Sequence, residues 1–319
     1  MRILIASSIY PDAIEMLRED HDVVCAFNAK DDVLKEVIVD REVVILRSGV
    51  QITAEVMACA PDLKLILRAG SGFDNIDVDY VNEHGLRLVR IPGPGAKAVA
   101  EMSFTFMLAL ARNLLEADRL TRQGHWAKQQ LTGELLTGKR LGVVGAGNIG
   151  TQVGKLGVAW GMEVIGCVEP ATPEEAERLK AEGIRMTDIQ EVLATSDFIS
   201  LHVPLNDFTR NLIDSQELAM VKPGAYLINL ARGGVVNEEA LYDALTAGPL
   251  AGAGVDVHEN EGEGKVSPLA GLENVILTPH IGAGTIDSQR EIGDIIIDTI
   301  REFAAQPASS PAEKERTLV

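Results

Sequence analysis

The sequence predicts an α/β protein built from two doubly wound parallel-sheet domains. Three observations carry that prediction. Short apolar, β-prone runs alternate with amphipathic stretches over residues 1–90 and again over 140–278, the pattern of strands joined by crossover helices. One strand-like run ends in Gly145-Ala146-Gly147-Asn148-Ile149-Gly150, a Gly-x-Gly-x-x-Gly turn. At 319 residues the chain is too long for one small core, so two domains are the natural division.

In the first part, strands are expected at 2–6, 22–27, 43–47, 63–68 and 86–90, with helices at 12–20, 31–39, 53–60 and 78–83. Ile91-Pro92-Gly93-Pro94-Gly95 breaks the series and reads as a hinge or border. One long helix is expected over 98–122, with Glu101 early and Arg112, Arg119 and Arg122 late, a polarity that suits the helix dipole. Its first half is apolar around most of its circumference, so it should be buried between domains or subunits. A second α/β series follows, with six strands at 140–144, 163–168, 198–202, 225–230, 252–256 and 275–278, which fits a Rossmann-type domain. A helix over 285–304 has no glycine-rich domain of its own to join and is expected to return to the first. The expected domains are therefore 1–97 plus 285–319, discontinuous, and 98–284. The tail 306–319, rich in Pro, Ser, Lys and Glu, is expected to be loose.

A formal charge of −18 argues against nucleic acid or an anionic membrane as partner, without excluding an anionic substrate. The three cysteines, Cys25, Cys59 and Cys167, are widely spaced in or beside apolar runs, so neither a disulfide framework nor a metal site is expected. Met1-Arg2-Ile3-Leu4-Ile5 reads as a strand, not a signal peptide. The apolar run 102–111 is about half a membrane span. A cytoplasmic protein is expected.

The glycine turn is a device for holding a pyrophosphate. Gly145 permits the tight turn, Gly147 lets backbone approach phosphate, and Gly150 lets the helix pack close to the strand. The helix that follows aims its free amides at the anion. The next strand runs into Glu169, and an acid at that distance usually binds the ribose hydroxyls of a dinucleotide. The plainer reading is an ordinary glycine turn in an α/β protein.

Three further segments put reactive groups after strands. Ile228-Asn229-Leu230-Ala231-Arg232-Gly233-Gly234 places an arginine where it can grip a carboxylate in a bidentate pair; otherwise it is a surface arginine. Gly254-Val255-Asp256-Val257-His258-Glu259-Asn260-Glu261 runs into an acidic loop, which solvation alone can explain. Thr278-Pro279-His280-Ile281-Gly282 sets a histidine after another strand. Of the six histidines, His21, His84 and His125 sit among polar neighbours, and His202, before Pro204, is expected to line the cofactor cleft. A nicotinamide reaction at a carbonyl needs an acid/base near neutral pKa, a carboxylate to orient it and a cation to polarise the ketone. The second domain offers one of each.

Over residues 1–304 the chain resembles a D-isomer-specific 2-hydroxyacid dehydrogenase, in the phosphoglycerate dehydrogenase-like branch. The resemblance rests on Arg68-Ala69-Gly70-Ser71-Gly72-Phe73-Asp74-Asn75-Ile76-Asp77, Ala98-Val99-Ala100-Glu101, the glycine turn, Leu201-His202-Val203-Pro204-Leu205, Asn229 to Gly234 and Thr278 to Ala283. It implies a Rossmann NAD domain with a flavodoxin-like substrate domain, and a catalytic set falling on Arg232, Glu261 and His280. Gly262 replaces the family's proline after the glutamate and His258 its usual aromatic residue, which leaves Glu259 as an alternative. The resemblance places cofactor contacts on Gly145, Gly147, Asn148, Ile149, Gly150, Glu169, His202, Val203, Pro204, Ala231, Asp256 and Gly282. It places substrate contacts on Arg47, Ser71 and Gly72, with Arg232 and His280. Gly95 stands where the family often has asparagine, and Lys97 is a nearby basic group. Counting aligns the family's cofactor aspartate with Val168; Glu169 is preferred because Pro170 follows it. With no Lys or Arg over 170–177, NAD is expected over NADP. The implied activity is hydride transfer between NAD(H) and a small D-2-hydroxyacid or 2-ketoacid such as 3-phosphoglycerate, in a homodimer. The alternatives are a glyoxylate or hydroxypyruvate reductase, or a non-catalytic NAD-sensing scaffold like the corepressors of this fold.

Overall fold

The computed structural model describes residues 1–70, 72–305 and 316–317. Ser71 and most of the tail expected to be loose lie outside the described residues. The chain divides into two compact units, Met1–Ala96 with Gly284–Val319, and Lys97–Ala283.

In the first unit the strands are β1 (Arg2–Ile5), β2 (Asp22–Cys25), β3 (Val43–Leu46), β4 (Leu65–Arg68) and β5 (Arg87–Arg90). They alternate with α1 (Pro11–Asp20), α2 (Asp31–Val37), α3 (Ala54–Ala58) and α4 (Val78–Glu83). The sheet is parallel, ordered β5-β4-β3-β1-β2, and the tail residues Arg316–Thr317 add an edge strand beside β5. That pairing is a departure from a wholly loose tail. The helix Ile286–Ala305 returns to this unit, seating Ile292, Ile296, Ile297 and Ile300 with Ala13, Ile14 and Leu17 of α1. Those isoleucines recur at helical spacing, which is why the segment buries one face.

The single helix expected over 98–122 is two helices, α5 (Gly93–Ala111) and α6 (Leu114–Arg122), bent by 59°. Asn113 between them has φ 49°, left-handed backbone that asparagine tolerates better than most residues. The Ala111 carbonyl, which a continuing helix would use, accepts the N–H of Glu134 at 2.7 Å instead. Of the Pro-Gly stretch read as a hinge or border, Gly93 to Gly95 form the first turn of α5, where proline costs no helical hydrogen bond, and the division into units falls just after them, between Ala96 and Lys97. The apolar composition of α5 answers to burial: Phe104, Phe106, Met107 and Leu110 all lie in the core. Among the described residues no single helix is long and apolar enough to cross a membrane.

The second unit's strands are β6 (Arg140–Val144), β7 (Glu163–Cys167), β8 (Arg185–Met186), β9 (Phe198–Leu201), β10 (Tyr226–Asn229), β11 (Gly252–Val255) and β12 (Val275–Leu277). Its helices are α7 (Asn148–Ala159), α8 (Pro173–Ala181), α9 (Ile189–Thr195), α10 (Ser215–Ala219) and α11 (Glu238–Thr246). The parallel order is β12-β11-β10-β9-β6-β7-β8, one strand more than expected. The extra strand, β8, has two residues, too few to show any periodicity. Gly254 of β11 is glycine because Phe106 of α5 lies where a Cβ would stand, 2.7 Å from the ring.

Candidate active site

Strand register gathers the candidate residues. Leu277, Val255, Asn229, Leu201, Val144 and Cys167 are neighbours across six strands. The residues just past each therefore share one carboxyl edge, where parallel sheets bind ligands. Past Leu277 comes His280, past Val255 the acidic loop, past Asn229 Arg232, past Leu201 His202, past Val144 the glycine turn, and past Cys167 Glu169.

The glycine turn fits a dinucleotide. Gly145 has φ +88°, and a Cβ there would stand 2.8 Å from the His202 backbone and from Val203. Its N–H and that of Ala146 donate to the Cys167 carbonyl, at 3.0 and 2.8 Å. Gly150 abuts the Gly145 carbonyl, with 2.3 Å left for a Cβ. Gly147 is the contrary case: it is exposed and no protein atom lies within 4 Å of where a Cβ would be. It precedes α7 without a side-chain cap, leaving the first-turn amides of Asn148, Ile149 and Gly150 to an anion. Glu169 is exposed two residues beyond β7. Arg178, one residue past the stretch 170–177, reaches the turn: its guanidinium donates to the Ala146 carbonyl at 2.7 Å and to Thr151 Oγ1 at 2.9 Å.

His202 meets Gly145 through its backbone. Its ring Nε2 shares a 2.8 Å hydrogen bond with Ser200 Oγ, and its Nδ1 is buried with no hydrogen-bond partner among the described residues. Burial pushes its pKa down to about 3. A ring so held is a poor proton donor at neutral pH.

The three candidate catalytic residues are individually anchored. Arg232 is half-buried, donates to the Ala231 carbonyl at 2.7 Å and follows a turn shaped by Asn229, whose Oδ1 accepts from the Ala231 N–H at 3.1 Å. His280 Nδ1 donates to Glu261 Oε2 at 3.0 Å. Because an ionised carboxylate can only accept, Nδ1 carries a proton, and Nε2 is the ring nitrogen not engaged by Glu261. Burial alone would raise the Glu261 carboxyl, but the bonds and charges of His280 and the His258 N–H outweigh it and hold the group below its usual range. Glu259 turns instead toward α11, accepting the Glu238 N–H at 3.1 Å. His280 has φ 55°, a costly backbone for a non-glycine residue. Asp256, 1% exposed, holds that turn: its Oδ1 accepts from the Ile281 N–H and its Oδ2 from the Gly282 N–H, both at 2.8 Å. Its backbone carbonyl takes the His280 N–H at 2.7 Å. Asp256, expected as a cofactor contact, also braces the backbone turn that carries the histidine.

In the first unit, Arg47 is half-buried just past β3, and burial lowers its guanidinium pKa. One buried residue given no role from the sequence supports its loop. Asn75 donates to the Arg47 and Val50 carbonyls, at 2.9 and 2.6 Å, and accepts from Arg68 Nε at 3.2 Å. Glu238 is another omission: an acid at a helix start reads as solvated, yet it is 6% exposed. Among the described residues no cluster of three or more His, Cys, Asp or Glu could hold a metal.

A family model described as D-isomer specific 2-hydroxyacid dehydrogenase, NAD binding domain, matches residues 104–282. The chain is 41% identical over 303 residues to D-3-phosphoglycerate dehydrogenase of Methanocaldococcus jannaschii, covering 95% of this chain and 57% of that one. It therefore spans little more than half the length of that relative. It is 38% identical over 303 residues to hydroxypyruvate reductase of Thermotoga maritima, covering 94% and 97%. The crystal structure of D-lactate dehydrogenase from Aquifex aeolicus complexed with NAD and lactic acid is similar at TM-score 0.82 and 31% identity, covering 95% of each chain. By the matched domain and by these relatives, the chain belongs to the D-isomer specific 2-hydroxyacid dehydrogenase family.

Proposed function

We propose that this chain reduces a small 2-ketoacid to the D-2-hydroxyacid, and runs the reverse oxidation, with NAD(H). The observation that supports this reading best is the His280–Glu261 pair on the same sheet edge as Arg232 and the open glycine turn. When bound, the nicotinamide supplies or accepts the hydride. His280 Nε2 donates a proton to the ketone oxygen in reduction and removes it from the hydroxyl in oxidation. Glu261 orients the ring and opposes the charge it gains. Arg232 grips the substrate carboxylate and polarises the carbonyl. Residues 98–284 take the cofactor role and 1–97 with 285–319 the substrate role, through Arg47, Ser71 and Gly72. Glu169 favours NAD by accepting from the ribose hydroxyls and repelling a 2′-phosphate.

The names of the relatives point to 3-phosphoglycerate, hydroxypyruvate and lactate as substrate types. We place the protein in the cytoplasm as a homodimer. The dimer is supported by apolar side chains left in solvent on and after α6, Leu114 at 58%, Leu115 at 52% and Trp126 at 85% exposure. Oxidation of NADH with glyoxylate, hydroxypyruvate, pyruvate and 3-phosphohydroxypyruvate tests the activity. No turnover on the whole panel, with NADPH also tried, would turn the reading to the NAD-sensing scaffold.

A further inference from the structure

One residue touches all three candidate catalytic segments. The His258 N–H donates to Glu261 Oε1 at 3.1 Å. Its ring Nε2 donates to the carbonyl of Thr278, two residues before His280, at 3.0 Å. Its own carbonyl lies against Gly233, next to Arg232, so closely that a Cβ on Gly233 would stand 1.8 Å away. The remaining ring nitrogen, Nδ1, is buried, has no hydrogen-bond partner among the described residues and lies 3.8 Å from Glu238 Oε1. Glu238 is itself pinned, accepting from the Glu259 N–H at 2.9 Å and from Ser267 Oγ at 3.1 Å.

A carbonyl only accepts, so Nε2 carries the proton, and the neutral ring turns the lone pair of Nδ1 toward a carboxylate. That is a repulsive arrangement. Adding a proton converts it into a charge-assisted pair. We propose that His258 is a positioning residue: protonated, it pairs with Glu238 and fixes the loop that holds Glu261 on His280. The proposal rests on the reading of Arg232, Glu261 and His280 as the reacting set. The titratable groups around His258 are Glu238 from α11, Glu259 and Glu261 from its own loop, Asp256 at the strand end and His280 beyond Thr278. Arg232 is the cation of the adjoining segment. The added charge thus enters a carboxylate-rich cluster, and His258 is one of the groups that keep Glu261 ionised.

The direction follows. With the ring paired to Glu238 the loop is fixed, and Glu261 stays charged further into acid. His258→Phe keeps ring size without nitrogens, and Glu238→Gln keeps shape without charge. The full chain is assayed for ketoacid reduction from pH 5 to 8, and the His280 imidazole is titrated by NMR with NADH bound. Each variant should move the acid limb of kcat to higher pH by about half a unit, with KM within about twofold. The double variant should move it no further than one single does, since both remove the same pair. An unmoved limb in both variants, or shifts that add, overturns the proposal. If His258→Phe does not fold, Glu238→Gln decides alone by the same limb. If the wild type turns over no ketoacid, the functional reading fails, and the His280 titration still decides: the same curve in wild type and variant overturns the pairing.

Discussion

Glu261 and His280, nineteen positions apart, share a 3.0 Å hydrogen bond between Oε2 and Nδ1, with 41% and 27% of their side chains exposed. A pair this open is screened by solvent, so its value lies in orientation more than in stability. His280→Ala should lower kcat by about 10²–10⁴-fold, the usual contribution of a placed acid/base. Glu261→Gln removes the charge opposite the protonated ring, so the reduction limb should fall at lower pH than in wild type. Near-native turnover in His280→Ala would sink the assignment.

The first two glycines of the turn should fail differently. Gly145→Ala meets positive φ and the His202 backbone at once, and should cost about 2 kcal/mol or more of stability. Gly147→Ala meets no protein atom within 4 Å. It should unfold like wild type in urea yet bind NADH at least about tenfold more weakly, because its methyl takes phosphate space. Equal NADH affinity in Gly147→Ala and wild type would place the cofactor elsewhere.

Glu169→Ala should weaken NAD by roughly tenfold, the scale of a charge-assisted hydrogen bond, and narrow the NAD/NADP ratio. Isothermal titration with both cofactors checks this. An unchanged ratio would move the role to a neighbour.

His202 makes a pH prediction about the fold. Burial holds its folded pKa at about 3, against 6.5 for an ordinary histidine. Between those values the unfolded chain binds a proton that the native one excludes. Its contribution is therefore complete above about pH 6.5 and is lost as pH falls toward 3, at up to about 1.4 kcal/mol per pH unit. Urea midpoints at pH 7, 5.5 and 4.5 should decline less steeply for His202→Gln than for wild type. Parallel declines would mean that carboxylates carry the acid loss.

What was legible in the sequence was what local chemistry encodes. The strands, the glycine turn and the placing of candidate groups just past strand ends follow from periodicity and spacing. The bend at Asn113 was not legible, because a lone asparagine is ordinary on a helix surface and the competing hydrogen bond comes from Glu134, far along the chain. The buried roles of Glu238 and Asn75 were hidden for the same reason: their partners lie about 20 to 30 positions away. Arg178 lies one position past the cation-free stretch 170–177, and the helix brings its guanidinium back to the turn, a contact that spacing along the chain does not show.

Arg232 offers the sharpest division between binding and chemistry. Its segment is held by Asn229 and packs on the His258 peptide, so the guanidinium starts from a fixed base. Arg232→Ala should raise KM for the ketoacid and lower kcat, leaving NADH affinity within about twofold, because the proposed role of the guanidinium is toward the substrate and not the cofactor. Arg232→Lys tests the geometry. A lysine restores charge but not the planar fork, so KM should recover only in part and kcat should stay low if two parallel bonds position the carbonyl. Full recovery by lysine would reduce the role to a point charge. A fall in NADH affinity equal to the rise in KM would show that Arg232 supports the cofactor, and the substrate carboxylate would then need another cation.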